Sequence, residues 1–115
     1  MRKSQLYING KLISAKKTYI RENPATMEPL QEVSLASKKD IDNACSSALT
    51  AFAVWSKTPP VVRGQMMFKI ANLIREKINL LSLINTQETG KPINESTLVE
   101  LGGVIRTFEY YAGLA

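Results

Sequence analysis

Short β-prone runs alternate with turn residues over residues 1–36. The apolar arms of the run from Leu6 to Ile13 flank Asn9-Gly10, a dipeptide that accepts the positive φ angles of a type I′ hairpin turn. Residues 19–22 and 30–35 form a second pair of arms, joined through a proline-containing turn from Asn23 to Pro29. We therefore expect a small antiparallel unit of β-hairpins in this part of the chain.

The hydrophobic period becomes helical from residue 37 onward. Ser37-Lys38-Lys39-Asp40 has the spacing of a capping box, so a first helix should begin at Lys38. Its apolar positions form one continuous helical face: Ile41, Ala44, Cys45, Ala48, Leu49 and Phe52. Trp55 closes this segment, and Thr58-Pro59 offers a cap for the next helix.

A second helix is expected from about Pro60 to Lys77, and a third, shorter helix should follow a cap at Asn79. Arg63 in the second helix is expected to be exposed to solvent. The apolar positions of that helix are expected to face inward: Val62, Met66, Met67, Ile70, Leu73 and Ile74. The third helix carries Leu80, Leu81, Leu83 and Ile84, a density that predicts burial on most of its surface, against its neighbours or against protein outside these 115 residues.

Gly90 and Pro92 predict the end of the third helix, because glycine adopts the left-handed conformation beyond a last turn and proline cannot continue the helix. A last helix is expected over roughly residues 93–114. Its seam steps by three and four: Leu98, Leu101, Ile105, Phe108 and Ala112. Gly102-Gly103 lies in its middle, where each glycine costs about 1 kcal/mol relative to alanine. Such a pair predicts close approach of another backbone or of a ligand.

Length and composition limit the organisation of the chain. Its 115 residues, 44% of them hydrophobic, suffice for one domain and are too few for two. The charged fraction of 22% and the mean hydropathy of −0.10 are ordinary for a soluble globular protein. No run has the length of a membrane-spanning helix, and Met1-Arg2-Lys3 is not followed by the apolar core of a signal peptide. We expect a cytoplasmic protein with no membrane partner.

The net charge of +5 comes mainly from the start of the chain, where six basic residues precede the first acid, Glu22. Elsewhere the two signs are mixed. A basic excess alone is weak evidence for nucleic-acid binding, and no interleaved aromatic residues suggest a stacking platform. We interpret the basic region as a solvated, lysine-rich hairpin and expect no nucleic-acid partner.

Histidine is absent, and the single Cys45 cannot form an internal disulfide. A Ser–His or Cys–His catalytic pair is therefore excluded within this chain, as is any metal site that needs imidazole. Cys45 lies in mid-helix on the apolar stripe between Ala44 and Ala48, where apolar surroundings disfavour the reactive thiolate. We interpret it as a core residue.

The remaining polar candidates give no catalytic arrangement. Gly102-Gly103 lacks the strand, glycine-rich turn and helix that bring backbone amides to a pyrophosphate. Lys91 could hold an anion or a carbonyl at the helix end, although complementing the helix dipole is the favoured interpretation. The acids Glu88, Glu95 and Glu100 have no identifiable partner base, and we interpret them as solvated.

Several runs nevertheless stand together in an informative order. They are Leu6-Tyr7-Ile8-Asn9-Gly10-Lys11, Asn23-Pro24-Ala25-Thr26, Glu88-Thr89-Gly90-Lys91-Pro92 and Tyr110-Tyr111-Ala112-Gly113. In this order they resemble the amino-terminal part of the NAD(P)-dependent aldehyde dehydrogenases, and the likeness covers nearly the whole chain. The resemblance implies an α/β family. This chain alone should be α+β, with amino-terminal β-hairpins over residues 1–36 and about four helices over residues 37–115, as one incomplete part of the cofactor-binding domain.

The resemblance also implies what the chain lacks. The family's nucleophilic cysteine, general-base glutamate and cofactor loop would lie beyond Ala115, so we expect no catalytic residue, no NAD or NADP binding and no activity from this chain alone. Met27 departs from the family, which commonly has glycine after Asn-Pro-Ala-Thr. If that position needs a positive φ, Met27 is strained there or the turn differs.

Two peripheral sites carry over by resemblance. A monovalent cation would be held through the backbone carbonyls of Arg21 and Glu22 and through Glu88. Gly103 and Thr107 match positions at the substrate entrance, where a glycine would leave room for a bulky aldehyde.

Three functions from different classes stay open. In the first, the chain is the leading piece of an aldehyde dehydrogenase, with an aldehyde as the substrate of the complete family and the remaining chain as its partner. In the second, it is a non-catalytic relic or interaction module that associates with another chain or with itself through apolar faces. The third, a basic nucleic-acid-binding module, has the least support.

Overall fold

The computed structural model describes residues 2–115, which divide into two compact units, one ending at Lys57 and the other beginning at Thr58. The first unit contains five strands and one helix: β1 (Arg2–Ser4), β2 (Leu6–Ile8), β3 (Lys11–Ile13), β4 (Lys17–Glu22), β5 (Pro29–Leu35) and α1 (Lys38–Trp55). The second is helical: α2 (Pro60–Glu76), α3 (Ile78–Thr89), a π-helical segment (Glu95–Leu101) and α4 (Gly102–Leu114). The expected α+β architecture, hairpins followed by helices, is confirmed.

The first hairpin forms as its turn residues predict. β2 and β3 pair antiparallel, with Leu6 opposite Ile13 and Ile8 opposite Lys11. The turn residues Asn9 and Gly10 both have positive φ, at 52° and 73°. Positive φ at both central residues is the type I′ requirement, so the Asn-Gly signal is confirmed.

The second sheet is mixed, with strand order β1-β5-β4. β4 and β5 are antiparallel as expected, but β1 pairs parallel to β5, so the prediction of a wholly antiparallel unit is wrong. The strand Arg2–Ser4 is polar and has no alternation of apolar and polar residues from which a strand could be predicted. An ion pair of 3.2 Å between Lys3 Nζ and Glu32 Oε2 joins β1 to β5, and the Thr18 hydroxyl and Lys3 lower the pKa of Glu32 by stabilising its carboxylate.

The turn between β4 and β5 forces one side chain into an unfavourable conformation. The Asn23 side-chain oxygen accepts from the Ala25 amide at 2.9 Å, and the Met27 amide donates to the Asn23 carbonyl at 2.8 Å. Met27 consequently sits at φ 58°, in the left-handed region, where an L side chain costs about 1–2 kcal/mol. Of the two alternatives left open for this position, the structure therefore shows a positive φ at Met27 rather than a different turn.

Helix α1 begins at its predicted capping box. The Asp40 amide donates to Ser37 Oγ at 3.3 Å, and the Ser37 amide donates to Asp40 Oδ2 at 2.8 Å. The hydroxyl and the amide of Ser37 stabilise the ionised form of Asp40, which lowers the pKa of this carboxyl. Both sequence signals, the cap and the closing Trp55, are therefore confirmed.

The apolar face of α1 is largely uncovered, because no residue of this helix is buried. Leu49 is 74% exposed and Phe52 59% exposed. Cys45, which we expected in the core, is also exposed. Helix α1 contacts β2, but a strand of 3 residues spans about 10 Å and cannot cover an 18-residue helix of about 27 Å.

Helices α2 and α4 form the main contact of the second unit. Gly64 and Ala71 are buried on α2, and Ile105 and Ala112 are buried on α4. A Cβ atom at Gly64 would lie 2.6 Å from the Ala112 carbonyl oxygen, so this approach requires glycine. Arg75 Nη2 and Glu109 Oε1 add an ion pair of 2.6 Å between the same two helices.

The face of α2 that packs is displaced from the predicted one. It follows Gly64, Met67, Ala71 and Ile74, whereas Met66, Ile70 and Leu73 of the predicted inward set are exposed. Arg63, which we expected in water, is half-buried and donates to the Thr58 carbonyl at 3.2 Å. Small residues permit the closest approach of two helices. A prediction based on the positions of large apolar residues does not take them into account.

The predicted caps of α2 and α3 are wrong. The N-cap of α2 is Pro59, which makes no side-chain capping bond, rather than Thr58. Lys77 is both the C-cap of α2 and the N-cap of α3, so Asn79 lies inside α3 and has no capping position to fill. Within this chain the neighbours of α3 cover only part of it: Leu80 is 57% exposed, and the buried residue of this helix is Ser82.

The predicted helix stop is confirmed, because Gly90 ends α3 with φ 76° and its amide donates to the Thr86 carbonyl at 2.9 Å. The last helix then departs from the regular seam. Its first part, Glu95–Leu101, is a π-helix, and Leu98 is 69% exposed while Ser96 is fully buried. The expectation of close backbone approach at the glycine pair is wrong for Gly103, since a Cβ there would meet nothing within 4 Å.

Replacing Gly64 with Ala should destabilise the second unit by about 1–3 kcal/mol, because the new methyl group overlaps the Ala112 carbonyl. Gly103→Ala is the matched control, and it should stabilise the protein by up to about 1 kcal/mol through helix propensity alone. Urea denaturation followed by circular dichroism measures both changes. A Gly64→Ala variant as stable as the original protein would contradict the close packing.

Met27→Gly should raise the free energy of unfolding by about 1 kcal/mol, because glycine adopts the left-handed conformation without the steric penalty. The Met27 side chain is 69% exposed, so its removal sacrifices little burial. Ala25→Gly, in the same turn but without positive φ, should lower stability by increasing unfolded-state entropy. Thermal melts of the two variants in parallel distinguish strain relief from a general effect of glycine.

Candidate functional site

The loop after α3 is fixed by an ion pair. Lys91 Nζ contacts Glu100 Oε1 of the π-helical segment at 2.5 Å. The hydrogen bond to the Glu100 carboxylate raises the pKa of Lys91 above its ordinary value, so the ammonium keeps its charge throughout the neutral range. Glu100 therefore has a basic partner, which the sequence did not identify, and the dipole role of Lys91 stays a prediction.

A buried cluster of hydroxyls joins α3 to the π-helical segment. Ser96 is fully buried. Its Oγ accepts from Asn85 Nδ2 at 3.2 Å and lies 2.8 Å from Thr86 Oγ1, in a hydrogen bond that either hydroxyl can donate. Sequence reasoning missed these three residues because a helical serine or asparagine is ordinarily solvent-facing, and no motif marks the exception.

A second serine of the same unit contrasts with Ser96. Ser82 on α3 is equally buried, and its Oγ has no hydrogen-bond partner among residues 2–115. A buried hydroxyl without a partner has lost its hydration and gained nothing in return. The two serines therefore differ in hydrogen bonding and not in burial.

The two residues predicted at a substrate entrance lie together on α4. Thr107 Oγ1 donates to the Gly103 carbonyl at 2.9 Å, which places both residues on one helical face. Thr107 is exposed, and the direction of a Cβ at Gly103 is open for at least 4 Å. The arrangement is an unobstructed helix surface with a hydroxyl one turn from a glycine.

The three residues predicted for a monovalent cation occur in different parts of the structure. Arg21 and Glu22 end β4, where the pairing with β5 shifts register between them, and they belong to the first unit. Glu88 is half-buried near the end of α3, in the second unit. No group of three or more His, Cys, Asp or Glu side chains within residues 2–115 could hold a metal ion. The three-residue cation site stays a prediction.

Gly102-Gly103 does not form a dinucleotide-binding turn. Gly102 ends the π-helical segment and Gly103 continues into α4, so neither follows a strand in the manner of a pyrophosphate-binding turn. Cys45 is exposed in mid-helix, and the chain has no histidine to activate it.

No helix between residues 2 and 115 is long and apolar enough to cross a membrane.

Comparison with known proteins gives one consistent result. A model of the aldehyde dehydrogenase family matches residues 12–115. Retinaldehyde dehydrogenase 3 of Mus musculus is 32% identical over 117 aligned residues, which cover 97% of this chain and 23% of that protein. The chain therefore spans about a quarter of the length of this relative.

Solved structures give the same family. The aldehyde dehydrogenase of Bacillus cereus, solved as an NAD+ complex, matches with a TM-score of 0.93 and 31% identity over 97% of this chain and 24% of that one. The betaine aldehyde dehydrogenase of Staphylococcus aureus, also in complex with NAD+, matches with a TM-score of 0.91 and 31% identity over 96% of this chain and 23% of its own.

Proposed function

The chain belongs to the aldehyde dehydrogenase family, and from this membership we propose that it forms the amino-terminal scaffold of an enzyme that oxidises aldehydes to carboxylic acids with NAD or NADP. The observation that carries the proposal is the structural likeness over 97% of the chain. In this proposal residues 1–115 are one incomplete part of the cofactor-binding domain, in a cytoplasmic protein without nucleic-acid or membrane partners.

The chemistry is assigned to residues outside these 115. The NAD+ complexes of two related enzymes support NAD as the family's cofactor. No glycine-rich turn follows a strand in the described part of this chain, and Cys45 has no activating base in the sequence. We assign the chain no catalytic residue and no cofactor contact of its own.

Arg21, Glu22 and Glu88 are assigned to a monovalent-cation site of the complete enzyme. The register shift between Arg21 and Glu22 supports this role, because a β-bulge frees backbone carbonyls from the strand ladder. Carbonyl and carboxylate oxygens are suitable ligands for a hard cation.

Helix α4 is assigned to the wall of the aldehyde entrance. The open space at Gly103 would admit a bulky aldehyde, and the exposed Thr107 hydroxyl one turn away would limit how far a large group could shift along the helix. The Thr107 hydrogen bond to the Gly103 carbonyl fixes the orientation of that hydroxyl.

The proposal is tested by grafting this chain in place of the corresponding segment of the Bacillus cereus aldehyde dehydrogenase and measuring NADH formation. The grafted enzyme should oxidise aldehydes. Gly103→Met in the graft should lower kcat/KM for a bulky aromatic aldehyde about tenfold relative to acetaldehyde, because the methionine occupies the space left by glycine. Gly113→Met, also in open space on α4, is the matched control. Equal effects of the two substitutions on aldehyde preference would contradict the entrance role.

A second candidate function is association with another chain. Large apolar side chains are exposed on the helices, including Leu49 and Phe52 of α1 and Leu80 of α3. Exposed apolar surface of this kind favours binding to protein. Sedimentation equilibrium of the purified chain should show a mass that rises with concentration. A monomer at all concentrations would count against self-association.

A further inference from the structure

The last helix makes one set of contacts with α3 and another with α2. The residues that make them would lie on different faces of a regular α-helix. The buried hydroxyl of Ser96 is bonded to α3 through Asn85 and Thr86. Further along, Ala112 meets α2 at Gly64, and Ile105, seven positions earlier, shares the face of Ala112. Helices α2 and α3 are consecutive and contact each other, so the two sets of contacts approach the last helix from neighbouring directions.

A regular α-helix does not meet this requirement. Ser96 and Ile105 are nine positions apart, and at about 100° per residue they would point about 180° away from each other. The π-helical segment accommodates one additional residue and removes about 100° of that rotation. The bond from the Gly102 amide to the Thr97 carbonyl has the five-residue spacing of a π turn.

An alternative register is available to the same segment. If the helix were α throughout, Leu98 would lie two turns before Ile105 on its buried face, and Ser96 would turn away from α3. In the structure the opposite holds, since Leu98 is 69% exposed and Ser96 is fully buried. Apolar burial therefore favours the α register, and the hydroxyl cluster favours the π register.

We propose that Ser96 is a positioning residue for the aldehyde entrance, because its bonded hydroxyl holds the π turn that sets which residues precede Gly103 and Thr107 on the entrance face. With α4 held on α2 at Gly64, loss of the turn rotates the segment before Gly102 by about 100° and leaves Gly103 and Thr107 in place. Glu100 then takes the direction that Val99 now holds, about one turn before Gly103, and the entrance face acquires a carboxylate. The inference rests on the proposed entrance role of these two residues.

The register is measured by thiol labelling of Leu98→Cys in a Cys45→Ser background, since Cys45 is the chain's other thiol. Maleimide should react rapidly because position 98 is exposed. Adding Ser96→Ala should slow the reaction about tenfold, as the segment adopts the α register and protects the thiol. Thr86→Val removes the partner hydroxyl with little change of shape and should act in the same direction, which keeps the test valid if Ser96→Ala fails to fold.

Ser82→Ala is the matched control, because this serine is equally buried and its hydroxyl has no bond to lose. It should leave labelling at position 98 unchanged. Equal protection by Ser82→Ala and Ser96→Ala would overturn the proposal, as would unchanged labelling in both Ser96→Ala and Thr86→Val.

The positioning role is measured in the grafted enzyme. Ser96→Ala should raise KM for a bulky aldehyde about threefold to tenfold more than KM for acetaldehyde, with kcat for acetaldehyde unchanged. If Ser96→Ala has no such effect while Gly103→Met does, the positioning role is overturned and the entrance role stands. If Gly103→Met has none, both fail, whereas the labelling result still decides the register.

Discussion

The helical unit depends on a constraint of rotation about one helix axis. Ser96 must reach α3, and Ala112 must come against the bare Cα of Gly64 on α2. With α2 and α3 adjacent at Lys77, a regular helix cannot satisfy both contacts, and the additional residue of the π segment reconciles them. The Lys91–Glu100 ion pair adds to the contact of the π segment with the end of α3, and the Arg75–Glu109 ion pair adds to the contact of α4 with α2.

Local signals in the sequence predicted the parts of the fold that a few neighbouring residues decide. Asn9-Gly10 fixed a hairpin turn, Ser37 with Asp40 fixed a helix start, and Gly90 fixed a helix end. Each signal acts through backbone geometry or a hydrogen bond within about four residues, so its outcome depends little on distant contacts.

Distant contacts account for the failures. Which face of α2 packs depends on the close approach at Gly64, which a ranking by apolar size overlooks. The exposure of Leu98 follows from a π turn that is determined by hydrogen bonds to Asn85 and Thr86 on another helix. Similarly, the predicted sites at Gly103 and Thr107 and at Arg21, Glu22 and Glu88 came from resemblance to a family, since no local pattern distinguishes these residues from ordinary surface positions.

Gly64 has a consequence at the level of the gene. Glycine is the one amino acid without a Cβ atom, so every missense change of codon 64 introduces the atom that would lie 2.6 Å from the Ala112 carbonyl oxygen. Most core positions accept a residue of similar size and polarity, but no amino acid other than glycine lacks the Cβ atom that Gly64 must exclude. Every missense change at this position therefore requires the two helices to shift, while Gly103 a few turns before Ala112 is open to larger residues as far as folding is concerned.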